Sequence, residues 1–138
     1  MIVLDTNVLS ELIRARPDPK VVSWLEAQAM DTLFTTAISR GEMLYGACIL
    51  PAGRHRDTLL HEVEAIFSAD MAGRVLPYDS DAAGIHATIA AMRRARGRPI
   101  SQPDAMIAGI VASRGAVLAT RNVRDFGGCG IDVVDPWD

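Results

Sequence analysis

Four acidic side chains, Asp5, Glu42, Asp104 and Asp125, stand where the chain passes between an apolar run and a helical pattern. Asp5 follows the apolar run Ile2–Leu4. Glu42 lies one turn into a helix expected to begin at Ser39, Asp104 one turn into a helix expected from Ser101, and Asp125 shortly after the run Ala116–Ala119. In open α/β sheets ligands collect beyond the carboxyl ends of the strands, so acids at such junctions can meet at one edge. A carboxylate cluster suits Mg²⁺ or Mn²⁺, hard ions that prefer oxygen, keep several waters and commonly take only one or two carboxylates directly. An ion so held can activate water, orient a phosphodiester and offset charge on the leaving oxygen. Taken singly, each acid reads equally well as a helix-start residue. Ser39-x-x-Glu42 has the spacing of a capping box, Ser101-x-x-Asp104 and Asn122-x-x-Asp125 repeat it, and Asp5 can cap the helix that follows it. The two roles are compatible, since a cap and a helix dipole can hold a carboxylate where it binds metal.

The elements that must position these acids are legible as alternating patterns. Short apolar, partly β-branched runs at Ile2–Leu4, Thr32–Thr36, Arg74–Pro77, Ala116–Ala119 and Ile131–Val134 predict five strands. Between them, Asp18-Pro19 reads as N-cap and first residue of a helix that turns Val21, Val22 and Leu25 to one side. Ser39 opens a helix carrying Met43, Leu44 and Ala47. From Asp79 to Arg96, Ala82, Ile85, Ile89 and Met92 recur at helical spacing. The last helix runs from Ser101 to about Arg114 and stops at Gly115. Strands alternating with helices predict a mostly parallel sheet covered on both faces. Pro51-Ala52-Gly53 and Gly97-Arg98-Pro99 read as turns inside one domain spanning residues 1–138.

Composition narrows the function classes. With 49% hydrophobic and 22% charged residues, the 138-residue chain has the makeup of a folded soluble domain. A net charge of −3 argues against duplex binding by overall charge, though local patches can still contact phosphates. Lys20 is the sole lysine, which excludes a Walker-type phosphate loop. Cys48 and Cys129 form no C-x-x-C pair, and no signal peptide or membrane-length apolar run is present, so a cytoplasmic protein is expected. His55, His61 and His86 lack zinc-ligand spacing, and Ser10 lacks the setting of a nucleophilic serine. Trp24 and Trp137 read as core or interface residues rather than base-stacking platforms. The run Arg93, Arg94, Arg96 and Arg98 reads as a solvated helix end; Arg121 and Arg124, flanking Asp125, have a slightly better claim on phosphates by position, with ordinary surface arginine as the plainer reading.

These residues resemble the VapC-like PIN-domain ribonucleases, particularly the FitB-like branch, over nearly the whole chain. Ile2-Val3-Leu4-Asp5-Thr6-Asn7-Val8-Leu9-Ser10-Glu11 resembles the family's first strand and first acid, and Ala37-Ile38-Ser39-Arg40-Gly41-Glu42 with Tyr45-Gly46 the helix bearing the second. Gly97-Arg98-Pro99-Ile100 followed by Asp104-Ala105-Met106-Ile107-Ala108 resembles the third motif. Ala119-Thr120-Arg121-Asn122-x-x-Asp125-Phe126 resembles the last, and Asp135-Pro136-Trp137 looks like the family's terminal Asn-Pro-Trp. The resemblance implies a three-layer α/β/α PIN sandwich with Mg²⁺- or Mn²⁺-dependent endoribonuclease activity. It further implies a toxin that forms a homodimer and is held in check by a small antitoxin. It carries Asp5, Glu42, Asp104 and Asp125 over as catalytic, metal-site acids, with Thr6, Thr120 and Asn122 as supporting polar residues. Two other readings are set beside it. One is a haloacid-dehalogenase-type phosphatase, against which stands Asn7 where a second Asp is usual. The other is a PIN-fold binding module without activity.

Overall fold

A computed structural model describes residues 1–138. Five strands are each followed or preceded by helix: β1 (Ile2–Leu4), β2 (Leu33–Thr36), β3 (Val75–Leu76), β4 (Val117–Ala119) and β5 (Asp132–Val134). The helices are α1 (Thr6–Leu12), α2 (Pro19–Glu26), α3 (Ala37–Cys48), α4 (Arg54–Ala65), α5 (Ser80–Ala95) and α6 (Gln102–Ser113). All strand pairings are parallel, in the order β3-β2-β1-β4-β5. The five expected strands are all present, with ends within a residue or two of the expected ones.

Strand side chains alternate between two cores, as the period of two requires. Val3, Leu76 and Leu118 join Ala82, Ile89, Ile107 and Ile110 of α5 and α6 on one face. Leu4, Leu33 and Ala119 join Val8, Leu9, Val21, Met43 and Val63 of α1 to α4 on the other. The sheet is therefore the middle layer of an α/β/α sandwich. On the first face α5 and α6 approach so closely that a Cβ on Gly109 would stand 2.5 Å from the Ala82 carbonyl oxygen.

Sequence reading missed or misplaced some elements. The expectation that Ser39 starts a helix is corrected: α3 begins at Ala37, and Thr36 is its N-cap, its hydroxyl accepting the Ser39 N–H at 3.1 Å. Ser39 is wholly buried inside the helix, so Glu42 lies in the second turn and the capping box is not formed. Asn122 makes no side-chain cap for the short 3-10 turn Val123–Phe126 either. Helix α4 went unread, although Leu59, Val63, Ile66 and Phe67 mark an apolar stripe along it and the π-turn that follows.

Candidate active site

Because β2 and β3 lie to one side of β1 while β4 and β5 lie to the other, the chain reverses its direction of growth between β1 and β4. Such a switch point leaves a crevice at the carboxyl ends of the two strands, between the helices that diverge from them. Asp5 stands there as the first residue past β1, its backbone N–H extending the ladder to the Ala119 carbonyl at 2.9 Å. Thr120 stands opposite as the first residue past β4, its own N–H bonded to the Val134 carbonyl at 3.0 Å. Both are buried, and the Thr120 hydroxyl donates to Asp5 Oδ2 at 2.7 Å. Having given its proton to the carboxylate, that hydroxyl accepts from the Asn122 N–H at 3.0 Å and from Asn7 Nδ2 at 3.2 Å. Asn7 Oδ1 in turn accepts the Arg121 N–H at 3.2 Å. Asn7 thus ties α1 to the turn after β4, a part that sequence reading did not assign to it. The signal was its place two residues after the acid.

Asp5 also caps α1 through Thr6 N–H at 2.8 Å, so it both caps and faces the cleft. The Thr6 hydroxyl lies 2.9 Å from Glu42 Oε1 and 2.9 Å from Ser39 Oγ. A hydroxyl has one proton and an ionised carboxylate only accepts, so Thr6 donates to Glu42 and orients that exposed side chain from across the cleft. Asp104 is half-buried in the first turn of α6, where Ser101 is the cap and accepts the Asp104 N–H at 3.3 Å. The Asp104 side chain lines the cleft, and the helix N-terminus favours its charge.

Asp5, Glu42 and Asp104 line one cleft of about 400 Å³, together with Thr6, Asn122 and Arg121. Asp125 is exposed and does not line it, yet its charge is felt by both Asp5 and Asp104. Burial pushes the Asp5 carboxyl above its ordinary value of 3.8; the bonds from Thr120 and Thr6 oppose the rise, and the charges of Glu42 and Asp125 add to it. Asp104 is raised too, first by burial, against the pull of Ser101, with Asp5 and Asp125 pushing it further up and Arg93 drawing it down. No three carboxylate, imidazole or thiol groups converge tightly enough to ligate one ion directly. The donor set is nevertheless all hard oxygen, with no cysteine or histidine in the cleft wall. It fits a hydrated hard cation held by one or two carboxylates and, through water, by the rest.

Two further side chains escaped the sequence reading. Glu11, 5% exposed, also lines the cleft, but its oxygens are taken by the Asp18 N–H at 2.8 Å and the Arg14 guanidinium at 3.1 Å. The expectation that Arg93 belongs to a solvated run is corrected as well. It is 6% exposed and donates to the carbonyls of Arg98, Asp125 and Gly127 at 2.7, 2.9 and 3.0 Å. Its neighbours Arg94, Arg96 and Arg98 are exposed, as expected.

The PIN domain family matches residues 2–127, and the chain belongs to it. Among its relatives is the VapC ribonuclease Y4jK of Sinorhizobium fredii, 39% identical over 138 residues, which are 100% of this chain and 99% of that one. Another is the toxin FitB of Neisseria gonorrhoeae, 33% identical over 137 residues, 99% of each. The crystal structure of FitAcB from Neisseria gonorrhoeae superposes with a TM-score of 0.88 at 33% identity, covering 99% of both chains. No helix is long and apolar enough to cross a membrane.

Proposed function

We propose that the 138 residues act as one PIN unit, a divalent-metal-dependent endoribonuclease that is the toxin half of a toxin–antitoxin pair in the cytoplasm. The observation that carries this reading is the meeting of Asp5, Glu42 and Asp104 in one cleft at the sheet's switch point, in a chain of the PIN family. Asp5, Glu42 and Asp104 hold Mg²⁺ or Mn²⁺ directly or through water, and Asp125 adds its charge from the rim. A metal bound there supplies an activated water and offsets charge on the leaving oxygen of the phosphodiester. Thr120 and Thr6 do the orienting, each giving its hydroxyl proton to one carboxylate, while Asn122 braces Thr120 through its backbone N–H. The names of the VapC and FitB relatives support the ribonuclease and toxin roles. On the same reading the chain pairs with a second copy of itself. A small antitoxin silences it by setting an arginine or lysine against the carboxylates. The phosphatase reading loses support because Asn7 is occupied with Thr120 and Arg121 and has no acid to offer.

The test is to incubate purified, antitoxin-free protein with total RNA and Mg²⁺ or Mn²⁺ and to map the new ends. Asp5→Asn and Asp104→Asn keep side-chain size but remove the charge. Each should lose cleavage by more than the roughly 10–100-fold that loss of a supporting partner costs a metal site, while circular dichroism shows them folded. Undiminished cutting by both folded variants would sink the mechanism.

A further inference from the structure

The acidic cleft does not end at its carboxylates. Glu11, Arg14, Arg121 and Trp137 line it, and the same four residues line a second hollow of about 480 Å³ bounded by the turn from Arg16 to Pro19. Charge changes sign along this trough. At one end Asp5, Glu11, Glu42 and Asp104 face only Arg14 and Arg121; at the other, Arg14, Arg16 and Arg121 face Glu11 and Asp18.

Both acids of the second hollow are already engaged. Glu11 holds Arg14 and the Asp18 N–H, and Asp18 caps α2 by accepting the Lys20 N–H at 2.9 Å. The chain's ion pairs are Arg14–Glu11 and Arg40–Glu64, so neither Arg16 nor Arg121 is paired with a carboxylate. Arg121 is fixed instead by two contacts of other kinds. Its backbone N–H is bonded to Asn7, and its guanidinium carbon stands 5.1 Å from the centroid of the Trp137 ring. Trp137 is itself seated against the core of the α1-to-α4 face, and so forms a fixed platform. A guanidinium held over an indole face by a cation–π contact, with no carboxylate partner, still has N–H donors to offer a phosphate.

We propose that this second hollow is a subsite for single-stranded RNA, receiving the nucleotide next to the cut phosphodiester with its phosphate on Arg121. The inference rests on the ribonuclease reading and extends it. RNA carries a phosphate at every nucleotide, so a strand with one phosphate at the acids and their metal must find a cation for the next. Only toward the second hollow do the arginines of the trough outnumber its acids. An acidic peptide entering the same hollow would have to end short of Asp5 and Glu42, whereas RNA brings the anion that a metal there requires.

The measurement is the salt dependence of binding of a labelled RNA hexamer, by fluorescence anisotropy in Mg²⁺, to protein carrying Asp104→Asn so that the strand is not cut. Adding Arg121→Ala should weaken binding severalfold and lower the log–log salt slope by about 0.7, the release expected for one single-strand phosphate contact. Arg121→Lys should restore the slope, because it restores the charge. In protein that also carries Trp24→Phe, leaving Trp137 as the sole tryptophan, the hexamer should change the emission. In otherwise wild-type protein, Arg121→Ala should raise KM with little change in kcat, as loss of uniform binding does. An unchanged affinity and slope in the Arg121→Ala protein, alongside normal RNA cutting by wild type, would overturn the subsite and leave the ribonuclease reading standing. If a labelled oligo-glutamate peptide binds the Asp104→Asn protein and Arg121→Ala abolishes that binding while leaving RNA binding intact, the subsite is overturned equally. Wild-type protein that neither binds nor cuts RNA would remove both readings.

Discussion

Asp5 occupies a place that a carboxylate avoids unless something holds it there. At 4% exposure its charge is poorly solvated, and burial is the largest influence on its ionisation. Its folded-state value lies above the ordinary 3.8, so in the metal-free protein this group's favourable contribution to folding is fully present below that pH and is lost as pH rises through the folded value. Thr120 works against the rise through its hydroxyl at 2.7 Å. Thr120→Val should therefore raise Asp5 further and move the acidic limb of the cleavage profile to higher pH. It should also reduce metal affinity or activity by roughly 10–100-fold, as loss of a supporting hydrogen bond does. The lost charge-assisted bond should cost about 1.5–3 kcal/mol of stability. A pH–rate series and urea melts on the two proteins check all three. An acidic limb that stays in place would show that Thr120 does not govern Asp5.

At the scale of elements, what aims the acids is the way helices leave the strand ends. Helix α3 is capped by the buried last residue of β2, Thr36, which sets Glu42 a turn deeper than its sequence neighbourhood suggests and within reach of Thr6 on α1. The C-terminal turn of α5 is anchored differently. Arg93 reaches from it to the loop before α6 and to the segment after β4 that carries Asp125, binding carbonyl oxygens on each. Arg93→Met keeps the apolar stem but strands those carbonyls, and with charged-donor bonds worth about 1.5–3 kcal/mol each it should destabilise by at least about 3 kcal/mol. Hydrogen exchange should rise selectively in the Val123–Gly130 segment. Arg94→Met or Arg98→Met, at exposed positions, should stay within about 0.5 kcal/mol of wild type. Equal losses for all three would return Arg93 to the solvated run.

Across the whole molecule, the acids gather because the strand order puts β1 beside both β2 and β4. The result is a pocket whose like charges oppose folding at neutral pH unless a cation offsets them. A cation binding only the folded state at one hundred times its dissociation constant stabilises by about 2.7 kcal/mol, worth several degrees in melting temperature for a domain of this size. Asp104 is raised by burial and by Asp5 and Asp125, so it too disfavours the fold as pH rises through its folded value. Asp104→Asn should accordingly be at least as stable as wild type in chelator at neutral pH, and should gain less from Mg²⁺ or Mn²⁺. A residue serving only the helix start predicts a modest loss with or without metal. Thermal melts of both proteins, in chelator and in excess metal, separate the two. If metal raises neither melting temperature and the variant is simply weaker, the shared pocket is wrong.

The strands and the places of Asp5 and Asp104 at strand and helix ends were legible because these depend on short-range chemistry, and the alternation of strands with helices pointed to a parallel sheet. A short apolar, partly β-branched run marks a strand buried on both faces, Asp18-Pro19 and Ser101 mark helix starts, and a carboxylate after an apolar run marks a strand end wherever the rest of the chain goes. Family resemblance of the motifs then implied one shared purpose for the acids, which no single spacing could. The failures are of another kind. Helical spacing sets Arg93 on the buried face of α5 with Ala82 and Ile89, and Arg14 follows Glu11 at i+3, but nothing local tells that Arg93 would find three carbonyls or that Glu42 would find Thr6. Ser39 has the composition of a cap, yet Thr36 takes that role because β2 delivers it buried at the helix entrance. Thr120 meets Asp5 across 115 residues and Ser39 meets Thr6 across 33. The first contact is chosen by the pairing of β1 with β4, the second by how α1 and α3 pack on one face of the sheet. Burial then decides which polar groups must find partners and which remain free to face the cleft.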